Sequence, residues 1–294
     1  MDSFKDKVVI VTGAGGGLGR AHAMEFARRG AKVVVNDLGS SADGSGASDM
    51  ADQVVEEIRQ AGGIAIANKA SVSDRVAAKS IVDDAVSEFG TVDILVNNAG
   101  ILRDKSFKNM SLDDWDLVMN VHLNGTAYVT HAAWPIMYEK NYGRILFTSS
   151  TSGIFGNFGQ ANYGAAKMGM LGLMNVLAIE GASHNIKVNT LAPAAATRLT
   201  NTIPGRDEDL SNVDPVRAPD LVTPAVLFMC REDAPTNKTI MASGGNFAIA
   251  GIFKNDGVAY GVDATLERLL ADEDQLLDMS DAHEGWDRAG SAAR

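Results

Sequence analysis

Three residues near the middle of the chain, Ser150, Tyr163 and Lys167, have side chains suited to proton transfer. Tyr163 and Lys167 are four residues apart, so on a helix they lie on one face. A phenol with a pKa of about 10 is a poor base at neutral pH, and we expect the nearby lysine to lower that pKa. Ser150 could donate a hydrogen bond to an oxygen on which negative charge develops. The three residues therefore predict acid–base chemistry at a carbonyl or a hydroxyl group.

A glycine-rich turn over 12–19 follows the first apolar segment, and a helix is expected to begin at about Leu18. Its glycines Gly13, Gly17 and Gly19 have the spacing GxxxGxG rather than GxGxxG. Glycines let the backbone approach a pyrophosphate, and the start of a helix offers unpaired N–H groups. Such a turn can also serve only to pack a helix against a strand. Its place between the first predicted strand and the first predicted helix favours a dinucleotide site.

Asp37 ends the second apolar segment, eighteen residues after Gly19. A carboxylate at this position can accept hydrogen bonds from both ribose hydroxyls of NAD and would repel the 2′-phosphate of NADP. The turn over 13–19 contains no arginine or lysine that could bind such a phosphate. The alternative is that Asp37 merely begins the following loop. We predict that the cofactor is NAD.

Short apolar segments alternate with helical patterns along most of the chain, and the segments are continuously apolar, which is typical of strands buried on both faces. This alternation predicts an α/β fold, a single Rossmann-like doubly wound parallel sheet of order 3-2-1-4-5-6-7 with helices on both faces. Strands are predicted at 8–11, 32–35, 64–67, 93–96, 144–148, 186–191 and 238–242, and helices at about 18–29, 47–61, 74–89, 111–139, 159–183 and 219–230.

The predicted dinucleotide-binding domain covers 1–260, and 261–294 is predicted to be an extension with one amphipathic helix and a polar tail. Within the domain, 38–48 is rich in glycine and serine and is interpreted as a flexible loop. The polar segment 197–219 is interpreted as a mobile substrate flap.

Composition narrows the classes of partner. The net charge of −11 argues against nucleic acid as the main partner. No run of about 18 apolar residues occurs, so no membrane-spanning helix is predicted. The single cysteine and the five histidines have no metal-ligand spacing, so no metal site is predicted. The N-terminus lacks the pattern of a signal peptide, and a cytoplasmic protein is expected.

The glycine-rich turn, Asn-Asn-Ala-Gly at 97–100, Ser150 and the Tyr-x-x-x-Lys motif at 163–167 together resemble the short-chain dehydrogenase/reductase family. The resemblance spans about 5–245. It implies that Tyr163 is the acid–base residue, Lys167 its electrostatic partner and ribose anchor, and Ser150 the donor that orients the substrate. It also implies a set of cofactor-binding residues, namely Gly13, Gly17, Leu18, Gly19, Asp37, Ser71, Val72, Asn98, Ala99, Gly100, Tyr163, Lys167, Pro193 and Thr197.

One position departs from the family pattern. Where the family usually has a helical asparagine that holds a proton-relay water, this chain has His122, three residues before Gly125. His122 is therefore a candidate catalytic residue that could replace the asparagine as the relay. The alternative is a buried histidine whose role is structural.

Several segments resemble a narrower group, the (3R)-hydroxyacyl-CoA dehydrogenase domain of peroxisomal multifunctional enzymes of type 2. These segments are 36–39, 54–63, 97–104, 148–163 and 177–181. The likeness implies NAD-dependent oxidation of a 3-hydroxyacyl-CoA to the 3-oxoacyl-CoA, in fatty acid or sterol side-chain breakdown.

Two other functions stay open at this point. A 17β-hydroxysteroid dehydrogenase acting on a steroid alcohol is the alternative enzyme. A non-catalytic NAD-binding subunit or sensor is the alternative from another class. Arg198, Arg206 and Arg217 are candidates for binding the phosphates of coenzyme A.

The segment 164–181 is apolar nearly all round, with small residues at Gly169 and Gly172. A helix of this kind must be buried on more than one side. We expect it to pack on the sheet and on the same helix of a second copy, in a homodimer or homotetramer.

Overall fold

The computed structural model describes residues 4–197 and 213–284. Its centre is one eight-stranded sheet of order β3-β2-β1-β4-β5-β6-β7-β8, in which β1 to β7 pair in parallel. The strands are β1 (Val8–Thr12), β2 (Lys32–Asn36), β3 (Ile64–Asn68), β4 (Ile94–Asn97), β5 (Gly143–Thr148), β6 (Ile186–Ala194), β7 (Thr239–Ser243) and β8 (Asn246–Ala250). The predicted fold class and the order of the first seven strands are confirmed.

Strand β8 lies at the edge of the sheet and was absent from the sequence-based prediction, which ended the sheet at 238–242. Gly244 and Gly245 alone connect it to β7, and both have positive φ, at 54° and 75°. A two-residue connection of this kind makes a tight hairpin. Because a parallel strand would need a long crossover, β8 runs antiparallel to β7.

Helices cover both faces of the sheet. They are α1 (Gly17–Arg28), α2 (Met50–Gln60), α3 (Arg75–Phe89), α4 (Leu112–Met119), α5 (Gly125–Glu139), α6 (Thr151–Phe155), α7 (Ala161–Glu180) and α8 (Thr223–Cys230). One apolar core lies between the sheet and α1, α2 and α8, and the other between the sheet and α3, α5 and α7. Residues of β1 alternate between them, since Val9 and Val11 face the first core while Val8 and Ile10 face the second. Burial on both faces explains why the strands are continuously apolar.

The predicted helix at 111–139 is a continuous helical segment whose centre is not α-helical. A five-residue π-helical segment, Asn120–Asn124, joins α4 to α5 and carries His122. Single π-helical turns inside α-helices occur frequently at functional sites.

The segment 38–48, predicted to be a flexible loop, is folded on itself in the structure. Asp43 accepts hydrogen bonds from the backbone N–H of Ser45 and from the hydroxyls of Ser41 and Ser45. Arg103 Nε donates to the carbonyl of Asp43 at 2.8 Å, and the N–H of Leu102 donates to Ala42. These bonds attach the loop to the chain that follows β4.

The chain divides into two compact units, Met1–Ile249 and Ala250–Arg294. The predicted boundary at residue 260 falls inside the second unit, because β9 (Phe253–Lys254) pairs with β10 (His283–Glu284). The single amphipathic helix predicted for the extension is two short ones, α9 (Leu266–Ala271) and α10 (Glu273–Leu277). Asp272 separates them in a non-helical conformation and accepts a hydrogen bond from the Tyr260 hydroxyl.

In the part of the chain that the structure describes, no helix is long and apolar enough to cross a membrane. The predicted flap at 197–219 lies largely outside the described residues, as do Arg198 and Arg206. The end of the polar tail, from residue 285, also lies outside them.

Candidate active site

The carboxyl edge of the sheet brings Ser150, Tyr163 and Lys167 together. Ser150 follows β5 and caps α6, where its hydroxyl accepts the N–H of Ser152 at 3.1 Å. Tyr163 and Lys167 lie in the first two turns of α7, and the lysine Nζ is 5.3 Å from the centre of the tyrosine ring. Lys167 Nζ also donates a hydrogen bond to the carbonyl of Thr148, at the end of β5. The helix spacing and the end of a parallel strand together position all three groups.

Burial controls the protonation of this site. It raises the pKa of Tyr163 to about 12, against a smaller lowering by the hydrogen bond to Ser150. It also lowers the pKa of Lys167 to about 7. Burial therefore outweighs any lowering by the nearby Lys167, and the net shift of the Tyr163 pKa is upward. Both groups lose their hydration, and each then favours its neutral form.

His122 lies beside the tyrosine. Its ring is fully buried and meets the Tyr163 ring edge-on, with the ring centres 5.1 Å apart. His122 Nε2 lies 2.8 Å from the carbonyl oxygen of Ile101 and 3.1 Å from the N–H nitrogen of the same residue, so it donates to the carbonyl in one tautomer and accepts the N–H in the other. Nδ1 is buried and has no hydrogen-bond partner among the described residues. Burial, and next the charge of Lys167, holds the pKa of His122 well below its usual range, so the ring stays neutral.

Gly100 makes room for the imidazole ring. A Cβ atom at this position would lie 2.3 Å from His122 Cε1, closer than any side chain could tolerate. The glycine of the Asn-Asn-Ala-Gly motif is therefore required by the packing of His122 and not by a turn.

Thr12, the last residue of β1, joins the glycine-rich turn to the segment after β4. Its Oγ1 accepts the N–H groups of Asn98 at 3.0 Å and Ala99 at 3.1 Å. The Asn98 amide donates back to the carbonyls of Thr12 and Gly13, both at 3.0 Å. Gly13 has a φ of +64°, and a Cβ there would lie 2.7 Å from Ala99 Cα. The two loops are thus held in contact by hydrogen bonds and by the missing side chain.

Asp37 lies at the end of β2 beside this turn. Its Oδ2 accepts the N–H of Gly15 at 2.7 Å, and its Oδ1 accepts the N–H of Gly39 at 2.7 Å. Each carboxylate oxygen has a second lone pair that these bonds leave unused. Asp37 therefore stabilises the turn and can still accept hydrogen bonds from a ligand in the cleft.

A cleft runs along the glycine-rich turn, and most of the predicted cofactor-binding residues line it. Those that line it are Gly13, Gly17, Leu18, Asp37, Ser71, Val72, Asn98, Ala99, Gly100 and Thr197. Gly19 and Pro193 do not: Gly19 is buried in α1 against the carbonyl of Gly13, and Pro193 is part of β6. Ser150, Tyr163, Lys167 and His122 lie beyond this cleft, next to its Gly100 end.

The chemistry of the cleft fits a nicotinamide dinucleotide. Helix α1 begins at Gly17 without a side-chain cap and has no acidic residue in its first turn. The first N–H groups of a helix have no acceptor within it, so they are available to phosphate oxygens. Asp37 provides a carboxylate for ribose hydroxyls, and the turn between them has no side chain to obstruct a phosphate.

Four functional neighbours were missed by the sequence analysis: Thr12, Asp104, Gln160 and Asn162. Asn162 is fully buried, and its Oδ1 accepts the N–H of Tyr163 at 2.8 Å. Its amide donates to the carbonyl of Arg103 at 3.2 Å. The only signal in the sequence was their position next to the motifs, since none of them has a side chain that stands out by itself.

The doubly wound sheet, the glycine-rich turn and the Ser–Tyr–Lys group define an oxidoreductase that uses a nicotinamide dinucleotide. A family model described as short chain dehydrogenase matches residues 7–208. The chain belongs to the short-chain dehydrogenase/reductase family and is an enzyme that acts on CH–OH groups of small molecules.

Individual relatives agree with this assignment. The chain is 47% identical to a short-chain type dehydrogenase/reductase of Mycobacterium tuberculosis, over 96% of this chain and 98% of that protein. It is 55% identical to the peroxisomal multifunctional enzyme type 2 of Mus musculus, over 80% of this chain but 31% of the longer protein. The chain therefore spans about a third of that enzyme.

A solved 7α-hydroxysteroid dehydrogenase in complex with NADH and 7-oxo glycochenodeoxycholic acid has a similar structure. The TM-score is 0.73 at 30% identity, and the match covers 83% of this chain and 95% of the other.

Replacing Thr12 with valine tests the junction between the two loops. Thr12→Val keeps the shape of the side chain but leaves two N–H groups without an acceptor, at a cost of about 1–3 kcal/mol. We expect at least part of this cost to appear as weaker dinucleotide binding, about tenfold, measured by isothermal titration calorimetry.

Thr190→Val is the matched control, since Thr190 is also buried in a strand and its hydroxyl bonds to Thr239 at 2.6 Å. It should lower stability without changing dinucleotide affinity. Equal affinities in the two variants would show that Thr12 does not shape the cofactor site.

Proposed function

We propose that this enzyme oxidises a 3-hydroxyacyl-CoA to the 3-oxoacyl-CoA with NAD. The observation that carries the proposal is the group of buried Ser150, partly buried Tyr163 and buried Lys167 beside a cleft that Asp37 lines. The likeness to multifunctional enzymes of type 2 supports the substrate class. Fatty acid or sterol side-chain breakdown is the corresponding metabolic role.

The proton of the substrate hydroxyl passes to Tyr163. In the oxidation direction the tyrosine oxygen accepts that proton as the C–H bond breaks, and in the reduction direction the phenol returns it to the carbonyl oxygen. Ser150 orients the same substrate oxygen and stabilises negative charge on it. Lys167 stabilises the phenolate form when the lysine is protonated. When bound, the nicotinamide ring supplies the hydride acceptor.

His122 completes the group as a relay in place of the usual asparagine. Its Nδ1, which has no partner among the described residues, can form a hydrogen bond with a water on the path to Lys167. Because the ring stays neutral, the relay passes a proton along hydrogen bonds and does not store a charge. The alternative is that His122 only fills the space beside Gly100.

Asp37 supports NAD over NADP. Both of its oxygens are already bound to N–H groups, so the carboxylate is held in place at the cleft. A 2′-phosphate at the adenosine ribose would meet this charge at short distance, whereas ribose hydroxyls can donate to it. The NADH complex of the similar 7α-hydroxysteroid dehydrogenase is consistent with this choice.

A steroid alcohol is the alternative substrate, because that structural relative holds a bile acid. A 17β-hydroxysteroid dehydrogenase would use the same buried residues on another ligand. Arg217, the described one of the three candidate CoA arginines, lies in a short 3₁₀-helix, Pro215–Arg217, and its N–H donates to Asp214. A non-catalytic NAD-binding subunit is disfavoured, since Tyr163, Lys167 and Ser150 are all present and close together.

The quaternary structure and the location of the enzyme stay predictions. Helix α7 carries half-exposed Val176 and Ile179, which suits packing against a second copy in a dimer or tetramer. A stable monomer in light scattering would contradict this assembly. A cytoplasmic location was expected, but several relatives are named peroxisomal, so fractionation of the source cells is the measurement that decides.

A substrate panel tests the main proposal. We expect NADH formation with short, medium and steroid-side-chain (3R)-hydroxyacyl-CoA thioesters, with kcat/KM at least about tenfold above that for free steroid alcohols. The Tyr163→Phe variant should bind NAD normally and lose activity by about 100-fold or more, since it lacks the proton-transfer group. A higher kcat/KM for steroid alcohols would favour the alternative. Turnover of no alcohol, with NAD still bound, would indicate a sensor.

The cofactor preference is tested at Asp37. Asp37→Ala removes both the ribose acceptor and the charge that repels a 2′-phosphate. We expect the ratio of kcat/KM with NAD to that with NADP to fall by about 100-fold, the size of one or two charge-assisted hydrogen bonds. Asp43→Ala is the control, because that carboxylate bonds within the same loop. An unchanged ratio in Asp37→Ala would refute the role.

The relay is tested by two changes at His122. His122→Asn restores the residue usual in the family and should keep kcat within a few-fold. His122→Leu removes the Nδ1 hydrogen-bonding group and should lower kcat by about 100-fold, the range of proton-transfer catalysis. Melting temperatures of the variants distinguish a loss of kcat through the missing relay from a loss through unfolding. If both variants lose the same activity, His122 is a packing residue.

A further inference from the structure

Asp104 is a half-buried carboxylate close to the catalytic tyrosine. Its Oδ2 accepts a hydrogen bond from Gln160 Nε2 at 2.6 Å. Its Oδ1 is buried and has no hydrogen-bond partner among the described residues. No described cation forms a salt bridge with it either, and burial raises the pKa of Asp104. A buried carboxylate without a counter-ion is costly, so its position calls for an explanation.

The segment that carries Asp104 is attached to the first turn of α7. Lys105 and Gln160 form a parallel bridge, and the N–H of Lys105 donates to the carbonyl of Gly159 at 2.9 Å. On the other side, Asn162 bonds to the carbonyl of Arg103 and to the N–H of Tyr163. The chain on both sides of Asp104 is therefore tied to the residues that precede and include Tyr163.

In 4–197 and 213–284, charged or titratable groups near Tyr163 come from three elements. Lys167 lies one turn along α7, His122 lies in the π-helical segment, and Asp104 lies in the loop after β4. The negative charge of Asp104 raises the pKa of Tyr163, after the larger effect of burial. His122 is neutral, so among the described residues Asp104 and Lys167 are the nearby groups whose charge can act on the phenol.

The cations next to Asp104 in sequence do not cancel its charge. Arg103 directs its guanidinium to Asp43 and Asp114, at 3.9 Å and 3.7 Å. Lys105 forms no salt bridge within 4–197 and 213–284. In a buried site the remaining negative charge acts over a short distance with little screening.

We propose that Asp104 is a positioning residue for Tyr163, which holds the start of α7 through Gln160 and whose charge keeps the proton on the phenol. The neutral phenol is the form that donates a proton to a carbonyl. Asp104 thereby moves the pH at which oxidation becomes fast to higher values and favours reduction near neutral pH. The kinetic consequence rests on the proposed function, whereas the titration of Tyr163 does not.

The test is the isosteric variant Asp104→Asn, in which the new side chain can still accept the hydrogen bond from Gln160. We expect the rising limb of kcat/KM for alcohol oxidation to move to lower pH by about half to one pH unit. At a fixed pH on that limb, this equals a gain of about three- to tenfold. Asp104→Glu should restore most of the original profile.

A direct titration makes the test independent of the substrate. The ultraviolet absorbance of tyrosinate is followed against pH in the wild type and in Asp104→Asn, each minus its own Tyr163→Phe version. Tyr163 should ionise at lower pH in the Asp104→Asn protein. If no substrate of the panel is turned over, this titration alone decides, so failure of the proposed function and failure of this inference are distinguishable.

Asp93→Asn is the control, since Asp93 is a similarly buried carboxylate that binds Lys140 and the N–H of Val8 at the opposite end of the sheet. Asp93→Asn should lower stability. It should change neither the pH of the rising limb of kcat/KM nor the pH at which Tyr163 ionises. The proposal would be overturned if folded Asp104→Asn showed the wild-type pH for both the kcat/KM limb and the ionisation of Tyr163. It would also be overturned if Asp93→Asn shifted both by the same amount as Asp104→Asn. Should Asp104→Asn not fold, Asp104→Ser is measured in the same way and judged by the same outcomes.

Discussion

Parallel pairing of β1 with both β2 and β4 is the constraint on which the rest of the site depends. The order of strands along the chain reverses at β1, so the loops after β1 and β4 diverge and a crevice opens at the carboxyl edge. Thr12 closes the bottom of this crevice by bonding the two loops together. The glycine-rich turn, Asp37 and Gly100 all take their positions from that junction.

Loss of hydration is the second organising effect, and it connects the catalytic group to its surroundings. Lys167 is buried and Tyr163 is partly buried, and the lost hydration makes each favour its neutral form, as it does for the buried His122. In such surroundings a nearby charge has a large influence on which form a group adopts. The position of Asp104 beside Tyr163 therefore matters more than it would at the surface.

Much of the fold followed from local patterns. The strands are continuously apolar because both faces are buried, and this gave the correct class and the order of seven strands. The hairpin strand β8 escaped prediction, because its only strong signal was Gly244-Gly245 and its side chains are largely exposed. The split of the C-terminal helix at Asp272 was also missed, since it depends on a hydrogen bond to Tyr260, twelve residues away.

Part of the candidate site could likewise be predicted from the sequence, and part of it could not. Asp37, Ser150 and the glycine-rich turn were predictable because each follows a strand, and parallel strands place their carboxyl ends on one edge. Thr12, Asn162 and Asp104 were not, because their roles consist of hydrogen bonds and charge between segments far apart in sequence. The structure also assigned parts of the site differently: Gly100 accommodates His122, and Pro193 belongs to β6 instead of the cleft.

The amino-acid sequence by itself determined which groups are present, the class of fold that holds them and the spacing that places Tyr163 and Lys167 on one helix face. Their protonation was decided only by the tertiary structure. A pKa depends on how much water is removed from a group and on which charges lie near it in space. Both of those are set by packing between β5, α7, the π-helical segment and the loop after β4, which no local pattern describes.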